Sequence, residues 1–294
     1  MYESFYGFKE RPFNVTPDTR YFFPSAKHRE ALDSMYYAVT NRLGFVVITG
    51  EIGAGKTTVC RTLLRRLPAT TKVAVITNTL VTGRHLLSAI LDEFELPVGE
   101  REPRWKLINR LNEFLIGALS HDENVVLVID EAQNLSPSVL EEIRLLSNLE
   151  TERVKLLQII LMGQPELRQK LDLQKLAQLK QRVLVGYHLQ ALDLSETHAY
   201  IRHRQILAGV KELVFTPDAV EMIYGYSKGV PRLINLVCER GLLSGYAEQV
   251  KSIDGRFMQQ VVADLLANHA GWRPELVDPV SLDLLDGPVA SASN

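Results

Sequence analysis

The chain has 294 residues, of which 46% are hydrophobic, and its formal net charge at pH 7 is −2. This composition predicts an ordered protein with one large globular unit or two modest ones. It excludes an overall electrostatic attraction to nucleic acid, although a local basic face is compatible with a balanced total. Cys60 and Cys238 lie far apart in sequence and lack metal-ligand spacing, which argues against a disulfide framework or a zinc site.

The first residues, MYESFYGFKERPF, contain neither a basic region nor an apolar stretch of the kind that begins a secretory signal. No apolar run approaches the roughly 18 to 20 residues that cross a bilayer. We therefore expect a cytoplasmic protein, which can also work at the face of the inner membrane.

From about residue 45 to residue 189, short β-branched apolar runs alternate with longer segments of helical period, which predicts βαβ units around a parallel sheet. The runs VVLVID and LLQIILMG are almost continuously apolar, as expected of strands covered on both faces. In chain order the predicted elements are strand Phe45–Thr49, helix Lys56–Leu67, strand Val73–Thr77, helix Leu86–Phe94, helix Arg104–Leu119, strand Val125–Ile129, helix Ser138–Leu149, strand Leu156–Met162 and strand Val183–His188.

After His188 the strand signals stop, and the pattern predicts helices over Ser195–Gly209, Pro217–Gly225, Pro231–Ala247 and Asp254–Leu266. We therefore predict an α/β domain over residues 1–190 and a small helical domain over 191–268. Residues 269–294 mix prolines, acids and small polar residues without a period, which predicts a flexible tail.

The first predicted strand is followed by GEIGAGKT, which fits the phosphate-loop pattern G-x-x-x-x-G-K-[ST] at every fixed position. Its glycines let successive N–H groups point at phosphate oxygens, Lys56 reaches the β- and γ-phosphates, and the Thr57 hydroxyl ligates Mg²⁺. If this glycine-rich turn had only a structural role, the Lys56-Thr57 pair that completes the pattern would be a coincidence. The residues predicted to bind the phosphates of ATP are Gly50, Glu51, Ile52, Gly53, Ala54, Gly55, Lys56, Thr57 and Thr58.

The strand Val125–Ile129 delivers Asp130 and Glu131 to its carboxyl end, where ligands lie in open α/β sheets. Taken alone, such a pair is also a common surface feature. Beside a phosphate loop, we expect Asp130 to hold the Mg²⁺ and Glu131 to polarise the attacking water. Gln164 follows the next strand, and it either contacts the γ-phosphate or the water, or is a solvated turn residue.

These segments together resemble the AAA+ ATPases, and among them the ExeA-like family of general secretion pathway A proteins. The resemblance covers about residues 2 to 266 in the expected order. It includes FYGFKERPFNVTPDTRYFFPSAKHREAL, DEAQNLSPSVLEEIRLLSNLET, LLQIILMGQPEL, LKQRV, YIRHRQILAG and SKGVPRLINLVCERGLL. The implied fold is a five-stranded parallel P-loop NTPase sheet with helices on both faces, followed by an all-helical lid domain.

The resemblance also implies roles for residues whose role the neighbouring sequence does not predict. Gln164 takes the place of sensor 1, Arg182 that of an arginine finger acting on a neighbouring subunit, and Arg232 that of sensor 2 in the lid. Pro12 and Phe13 lie in the segment similar to the one that lines the adenine pocket.

We therefore expect an ATPase with ATP and Mg²⁺ as ligands, assembling as a homo-oligomer to drive an envelope machine such as a secretion system or pilus. An alternative is an ATP-dependent DNA-binding platform of the transposition-regulator type. The arginines that would favour this alternative also fit solvated helix faces; they are Arg61, Arg65, Arg66, Arg202 and Arg204, with His203. A kinase is a weaker interpretation because the sequence shows no acceptor site for a second substrate.

Secretion-pathway relatives continue into a membrane span and a peptidoglycan-binding region, so we expect either a stand-alone ATPase or the cytoplasmic part of a longer protein.

Overall fold

The fold was analysed in a computed structural model, which describes residues 1–14, 16, 18–99 and 102–268. The strands are β1 Phe45–Gly50, β2 Lys72–Ile76, β3 Val125–Ile129, β4 Leu157–Gly163 and β5 Val183–Leu189. The helices are α1 Tyr2–Tyr6, α2 Ala26–Thr40, α3 Lys56–Arg66, α4 Gly83–Glu93, α5 Arg104–Ser120, α6 Pro137–Leu146, α7 Pro165–Leu171, α8 Ala177–Lys180, α9 Leu194–Leu207, α10 Pro217–Ser227, α11 Pro231–Ala247 and α12 Gly255–Asn268.

The five strands form one parallel sheet in the order β2-β3-β4-β1-β5, which confirms the predicted fold class. Strand β4 lies between β1 and β3, and its last residues pair with Thr49 and with Ile129. The carboxyl ends of these three strands therefore meet at one edge of the sheet. This edge receives the segments that begin at Gly50, Asp130 and Gln164.

Strands β1, β3 and β4 are buried along their whole length because helices cover both faces of the sheet. Alternate side chains enter different hydrophobic clusters, as the two-residue period of a strand requires. In β3, for example, Leu127 packs in one cluster and Val128 in the other. The burial predicted for the runs VVLVID and LLQIILMG is confirmed in β3 and β4 and is also found in β1, whereas the edge strands β2 and β5 are only partly covered.

All eight predicted helices are present, with ends shifted by a few residues. The structure adds α2, α7 and the short helices α1 and α8, which the sequence patterns did not identify. Helix α2 buries Ala31, Leu32, Met35, Ala38 and Val39 against the sheet, and the Ser25 side chain caps its start. That spacing is helical, so the apolar pattern of α2 was a usable signal.

Helices α9 to α12, which we call the helical unit, share a separate hydrophobic cluster. The N-terminal segment packs into this cluster rather than onto the sheet. The Tyr2 hydroxyl donates to Glu239 (2.6 Å), and the Phe13 ring meets Phe215 edge-on at 5.9 Å between centroids. The division of the chain at residues 190 and 268 stays a prediction, and the predicted tail lies outside the described residues. In the described part of the chain, no helix has both the length and the apolar character that a bilayer span requires.

Candidate active site

The phosphate loop connects β1 to α3 and depends on two glycines with left-handed backbone conformations. Gly53 has φ +82° and Gly55, at the start of α3, has φ +100°. A Cβ atom on Gly53 would come within 2.5 Å of the Arg232 Cβ atom, so this position needs glycine for conformation and for space. The loop leads directly into an 11-residue helix, whose first N–H groups form an anion site.

Lys56 is the buried cation of this loop, with 7% of its surface exposed. Its Nζ donates to the carbonyl oxygens of Gly50 (2.7 Å) and Glu51 (3.0 Å). Burial lowers the pKa of Lys56, whereas the nearby carboxylates of Glu131 and Asp130 act in the opposite direction. The predicted phosphate-binding ammonium is therefore held at the loop and faces the two acids.

Asp130 and Thr57, the predicted Mg²⁺ ligands, lie side by side. The Thr57 hydroxyl donates to Asp130 Oδ2 at 3.3 Å, and the Glu131 N–H donates to Oδ1 at 2.9 Å. Burial, followed by the charge of Glu131, raises the pKa of Asp130 despite these hydrogen bonds. A desolvated carboxylate beside a hydroxyl is an oxygen donor set that fits Mg²⁺, which takes few protein ligands and completes its shell with phosphate and water. The described residues contain no group of three or more His, Cys, Asp or Glu able to hold a metal.

Glu131, the predicted catalytic acid, is oriented by two glutamines. Its Oε2 accepts from Gln133 Nε2 at 2.5 Å and from Gln164 Nε2 at 3.3 Å. Gln133 also accepts the Gln164 N–H through Oε1 at 3.1 Å. A Cβ atom on Gly163 would lie 2.8 Å from that oxygen, so the glycine keeps room for the contact. Gln133 was missed from the sequence because its role depends on the turn that follows β3.

The start of helix α11 closes over the phosphate loop. The Arg232 N–H donates to the Gly53 carbonyl at 3.3 Å, and its side chain lines the same cavity as Lys56, Glu131 and Gln164. The predicted sensor residues on the sheet and on the helical unit are therefore brought together around one space.

This cavity has a volume of about 460 Å³. The loop residues among its walls are Ile52, Gly53, Gly55, Lys56, Thr57 and Thr58, and Gly50 and Glu51 contribute through their carbonyls to Lys56. Other residues of the cavity wall include Asn14, Tyr21 and Phe22.

Pro12 and Phe13, predicted to line the adenine pocket, are not among the residues that line the cavity. Phe13 is fully buried against the helical unit, and the Pro12 carbonyl accepts from Arg204 Nε at 2.6 Å. The apolar character of the two residues serves packing beside the cavity, and the following residue, Asn14, reaches the cavity wall.

Arg182 lies immediately before β5, away from the residues that line the cavity. Its Nη1 donates to the Ser147 hydroxyl at 2.6 Å, and it does not line the cavity. The side chain is partly exposed. The structure thus separates Arg182 from the phosphate loop of its own chain.

His28 at the start of α2 supports the loop from behind and was missed from the sequence. Its Nε2 donates to the Ala54 carbonyl at 3.1 Å, which leaves Nδ1 to accept from the Ser25 hydroxyl at 2.8 Å. Burial lowers the pKa of His28, so the ring stays neutral at pH 7. His28 and Ala54 are 26 positions apart in the sequence, which explains why no local pattern identified this contact.

Two of the arginines that would favour DNA binding make contacts within the chain. Arg204 is only 6% exposed and holds the N-terminal segment. Arg66 pairs with Asp33 and lies over the Tyr36 ring. Arg204 is therefore removed from the surface, whereas Arg66 stays exposed with its charge paired.

Comparison with known proteins gives a consistent assignment. A family model described as an AAA domain matches residues 40–171. General secretion pathway protein A of Aeromonas hydrophila is 44% identical over 247 residues, which are 84% of this chain and 45% of that protein. The chain therefore spans less than half the length of this relative.

Two solved structures resemble the fold at low sequence identity. The Aeropyrum pernix ORC2 protein, in its ADPNP-ADP complexes, has a TM-score of 0.67 at 18% identity, covering 87% of this chain and 71% of that chain. The Thermotoga maritima RuvB Holliday junction branch migration motor has a TM-score of 0.55 at 20% identity, covering 82% of this chain and 67% of that chain. At such identity, these similarities establish the fold alone.

Proposed function

Because the chain belongs to the AAA+ ATPases and is related to general secretion pathway protein A, we propose that it binds ATP with Mg²⁺ and hydrolyses it. The observation that carries this proposal is the convergence of three predicted groups on one cavity. These are the Lys56 ammonium, the Thr57 hydroxyl, which donates to Asp130 beside the cavity, and the Glu131 carboxylate.

The arrangement supports in-line attack of water on the γ-phosphate. Glu131 accepts the water proton, while Gln133 and Gln164 hold its carboxylate toward the site. Lys56 and the α3 N-terminus offset negative charge on the phosphates. Thr57 and Asp130 would hold Mg²⁺, which would supply positive charge that offsets the charge of the phosphates.

Hydrolysis on this proposal also needs a second copy of the chain. Arg232 lines the cavity from within the same chain, whereas Arg182 lies outside it. A guanidinium outside its own site is suited to reach the γ-phosphate of a neighbouring subunit, where such a finger accelerates hydrolysis by about 10³ to 10⁵. We therefore propose a homo-oligomer with Arg182 acting in trans.

The cellular role we propose is assembly of an envelope machine, a secretion system or pilus, in the cytoplasm at the face of the inner membrane. The support is the 44% identity to general secretion pathway protein A over most of this chain. The buried state of Arg204 weighs against the DNA-platform alternative. A tagged protein captured from cells with and without nuclease should retain envelope proteins in both samples, whereas partners lost with nuclease would favour the alternative.

The Lys56→Ala variant tests nucleotide binding directly. It removes the ammonium that faces the cavity, so a fluorescent ATP analogue should lose measurable binding. Lys175→Ala removes an exposed lysine outside the cavity and serves as the matched control. Binding of the analogue by Lys56→Ala as tightly as by the parent would refute the assignment of the phosphate loop.

A further inference from the structure

Arg204 on α9 is a buried cation without a carboxylate partner in the described part of the chain. Its Nε and Nη2 donate to the carbonyls of Pro12 (2.6 Å) and Asn14 (3.3 Å), and its Nη1 donates to the Tyr200 hydroxyl (2.7 Å). The guanidinium also lies 4.7 Å from the centre of the Tyr21 ring. Since burial of an unpaired charge is costly, this set of contacts calls for an explanation beyond packing.

The contacts of Arg204 fix the direction of a hydrogen-bond chain. Arginine can only donate, so the Tyr200 oxygen accepts from it. The single Tyr200 proton must then go to the other neighbour, which is the Asn235 side chain at 2.9 Å. The atom that faces Tyr200 is therefore Asn235 Oδ1, and its amide nitrogen Nδ2 must point another way. The donor and acceptor chemistry of the three side chains thus settles the orientation of the amide.

Asn235 lies one turn after Arg232 on the cavity side of α11, and both side chains line the cavity. Arg232 contacts the phosphate loop at Gly53. Asn235 is 6% exposed, and its Nδ2 donates to none of the described residues. The two hydrogens of the Asn235 amide thus remain available beside the cavity. They lie one helical turn after Arg232, the residue of α11 that contacts the phosphate loop.

We propose that Asn235 is a specificity-determining residue that donates an amide hydrogen to the sugar-base half of the bound nucleotide, with Tyr200 and Arg204 as positioning residues. This inference rests on the proposed nucleotide binding. With phosphates at the loop, only the nucleoside can extend toward Asn235. The acceptor is an uncharged oxygen or nitrogen, either a ribose hydroxyl or a ring nitrogen of the base.

The test compares ATP with inorganic tripolyphosphate, which shares the phosphates and lacks the nucleoside. Asn235→Asp keeps an oxygen for the Tyr200 proton and removes the donor. It should weaken ATP binding about tenfold and change tripolyphosphate binding less than threefold, because a single lost hydrogen bond is worth about a factor of ten. Tyr200→Phe keeps the ring and frees the amide, so it should weaken ATP binding about threefold and spare tripolyphosphate.

Titration calorimetry of each variant, checked for an unchanged circular dichroism spectrum, measures these affinities. Asn109→Asp makes the same chemical change on an exposed helix surface and should bind both ligands as the parent does. Parallel titrations with 2′-deoxy-ATP and 3′-deoxy-ATP identify the source of the acceptor. If it is a ribose hydroxyl, the analogue lacking it binds the parent weakly and is insensitive to Asn235→Asp. If it is a base nitrogen, both analogues lose affinity with the substitution.

The outcomes separate this inference from the proposed function. Parental ATP affinity in Asn235→Asp, or equal losses for ATP and tripolyphosphate, would overturn the role of Asn235 while leaving nucleotide binding intact. A parent protein that binds neither ligand would overturn nucleotide binding itself.

Discussion

Glu131 occupies a backbone conformation that side chains seldom adopt, with φ +50°. A left-handed conformation costs a residue other than glycine roughly 1 kcal/mol, so its neighbours must stabilise it. The Glu131 N–H donates to Asp130 Oδ1, and its carbonyl accepts from the buried Thr79 hydroxyl at 3.2 Å. Backbone strain of this kind is concentrated at functional sites. Here the conformation directs the Glu131 carboxylate toward Gln133 and Gln164.

His28 makes stability depend on pH near neutrality. Its pKa in the folded protein lies below the ordinary 6.5, so the unfolded chain takes up the proton first as the pH falls. The stability contributed by the neutral ring is complete above pH 6.5 and is lost as the pH falls toward and through the folded pKa. At pH 5.5 the loss is about 1.4 kcal/mol at most.

We therefore expect the free energy of unfolding, measured by urea titration, to fall less between pH 7.5 and 5.5 in His28→Gln than in the parent. Glutamine retains a donor for the Ala54 carbonyl and does not titrate in this range. Identical slopes for the two proteins would show that His28 does not charge on unfolding.

At the scale of elements, the turn between α10 and α11 shows how the helical unit is tied to the end of the sheet domain. Gly229 has φ +77°, and its carbonyl accepts from the Leu192 N–H at 2.9 Å. A Cβ atom on Gly229 would lie 1.7 Å from the Leu192 carbonyl oxygen, a backbone atom that cannot rotate away.

Gly229→Ala should lower the free energy of unfolding by at least about 2 kcal/mol, because it combines an unfavourable φ with a backbone clash. Gly117→Ala offers a control of opposite sign. Gly117 lies inside α5, and a methyl group there would meet no described atom within 4 Å apart from its own helix backbone, so alanine should stabilise the protein by about 0.5 to 1 kcal/mol. Denaturant titrations of both variants check the pair, and an equal effect on stability would contradict the packing at Gly229.

The elements predicted correctly are those whose signals are local. Strands β1, β3 and β4 are continuous apolar runs, and the phosphate loop is defined by spacing alone. The roles of Gln133 and His28 could not be predicted because they depend on a left-handed turn and on a contact across 26 residues. Phe13 was assigned to the cavity by resemblance, whereas packing against Phe215 holds it in the helical unit. Local pattern therefore predicted residues that the fold brings together around one cavity, and tertiary packing decided which supporting residues surround them.

At the scale of the whole molecule, the cavity is built from three parts that meet only in the folded chain. The segments that follow the strands supply Lys56 and Glu131, the helical unit supplies Arg232 and Asn235, and Asn14, which follows the N-terminal packing segment, also lines the cavity. On the proposed function, nucleotide binding would depend on the relative positions of the sheet and the helical unit, and Arg182 would connect one molecule to the next.

Mixing two inactive variants tests whether Arg182 acts in trans. Arg182→Ala keeps an intact cavity, whereas Lys56→Ala keeps an intact finger. A mixed interface can therefore pair the cavity of the first with the finger of the second, and hydrolysis should partly recover on mixing. Specific activity of the parent should also rise with protein concentration, as it does for an assembled catalyst.

Arg153→Ala, which removes an exposed arginine, serves as the control for this experiment. If Arg182→Ala alone hydrolysed ATP at the parent rate while the parent was oligomeric, the finger would have to be sought at Arg168 or Arg144.

Separate measurements of binding and turnover for Glu131→Gln test whether this cavity hydrolyses ATP with Glu131 as the base. We expect ATP affinity close to the parent's and hydrolysis at least about a hundredfold slower, since loss of a positioned base costs about 10² to 10⁴ in rate. Glu166→Gln, an exposed substitution nearby, should leave both quantities unchanged. Unchanged steady-state hydrolysis in Glu131→Gln would contradict the account and direct the search for the base to Glu141, Glu142 or Glu150.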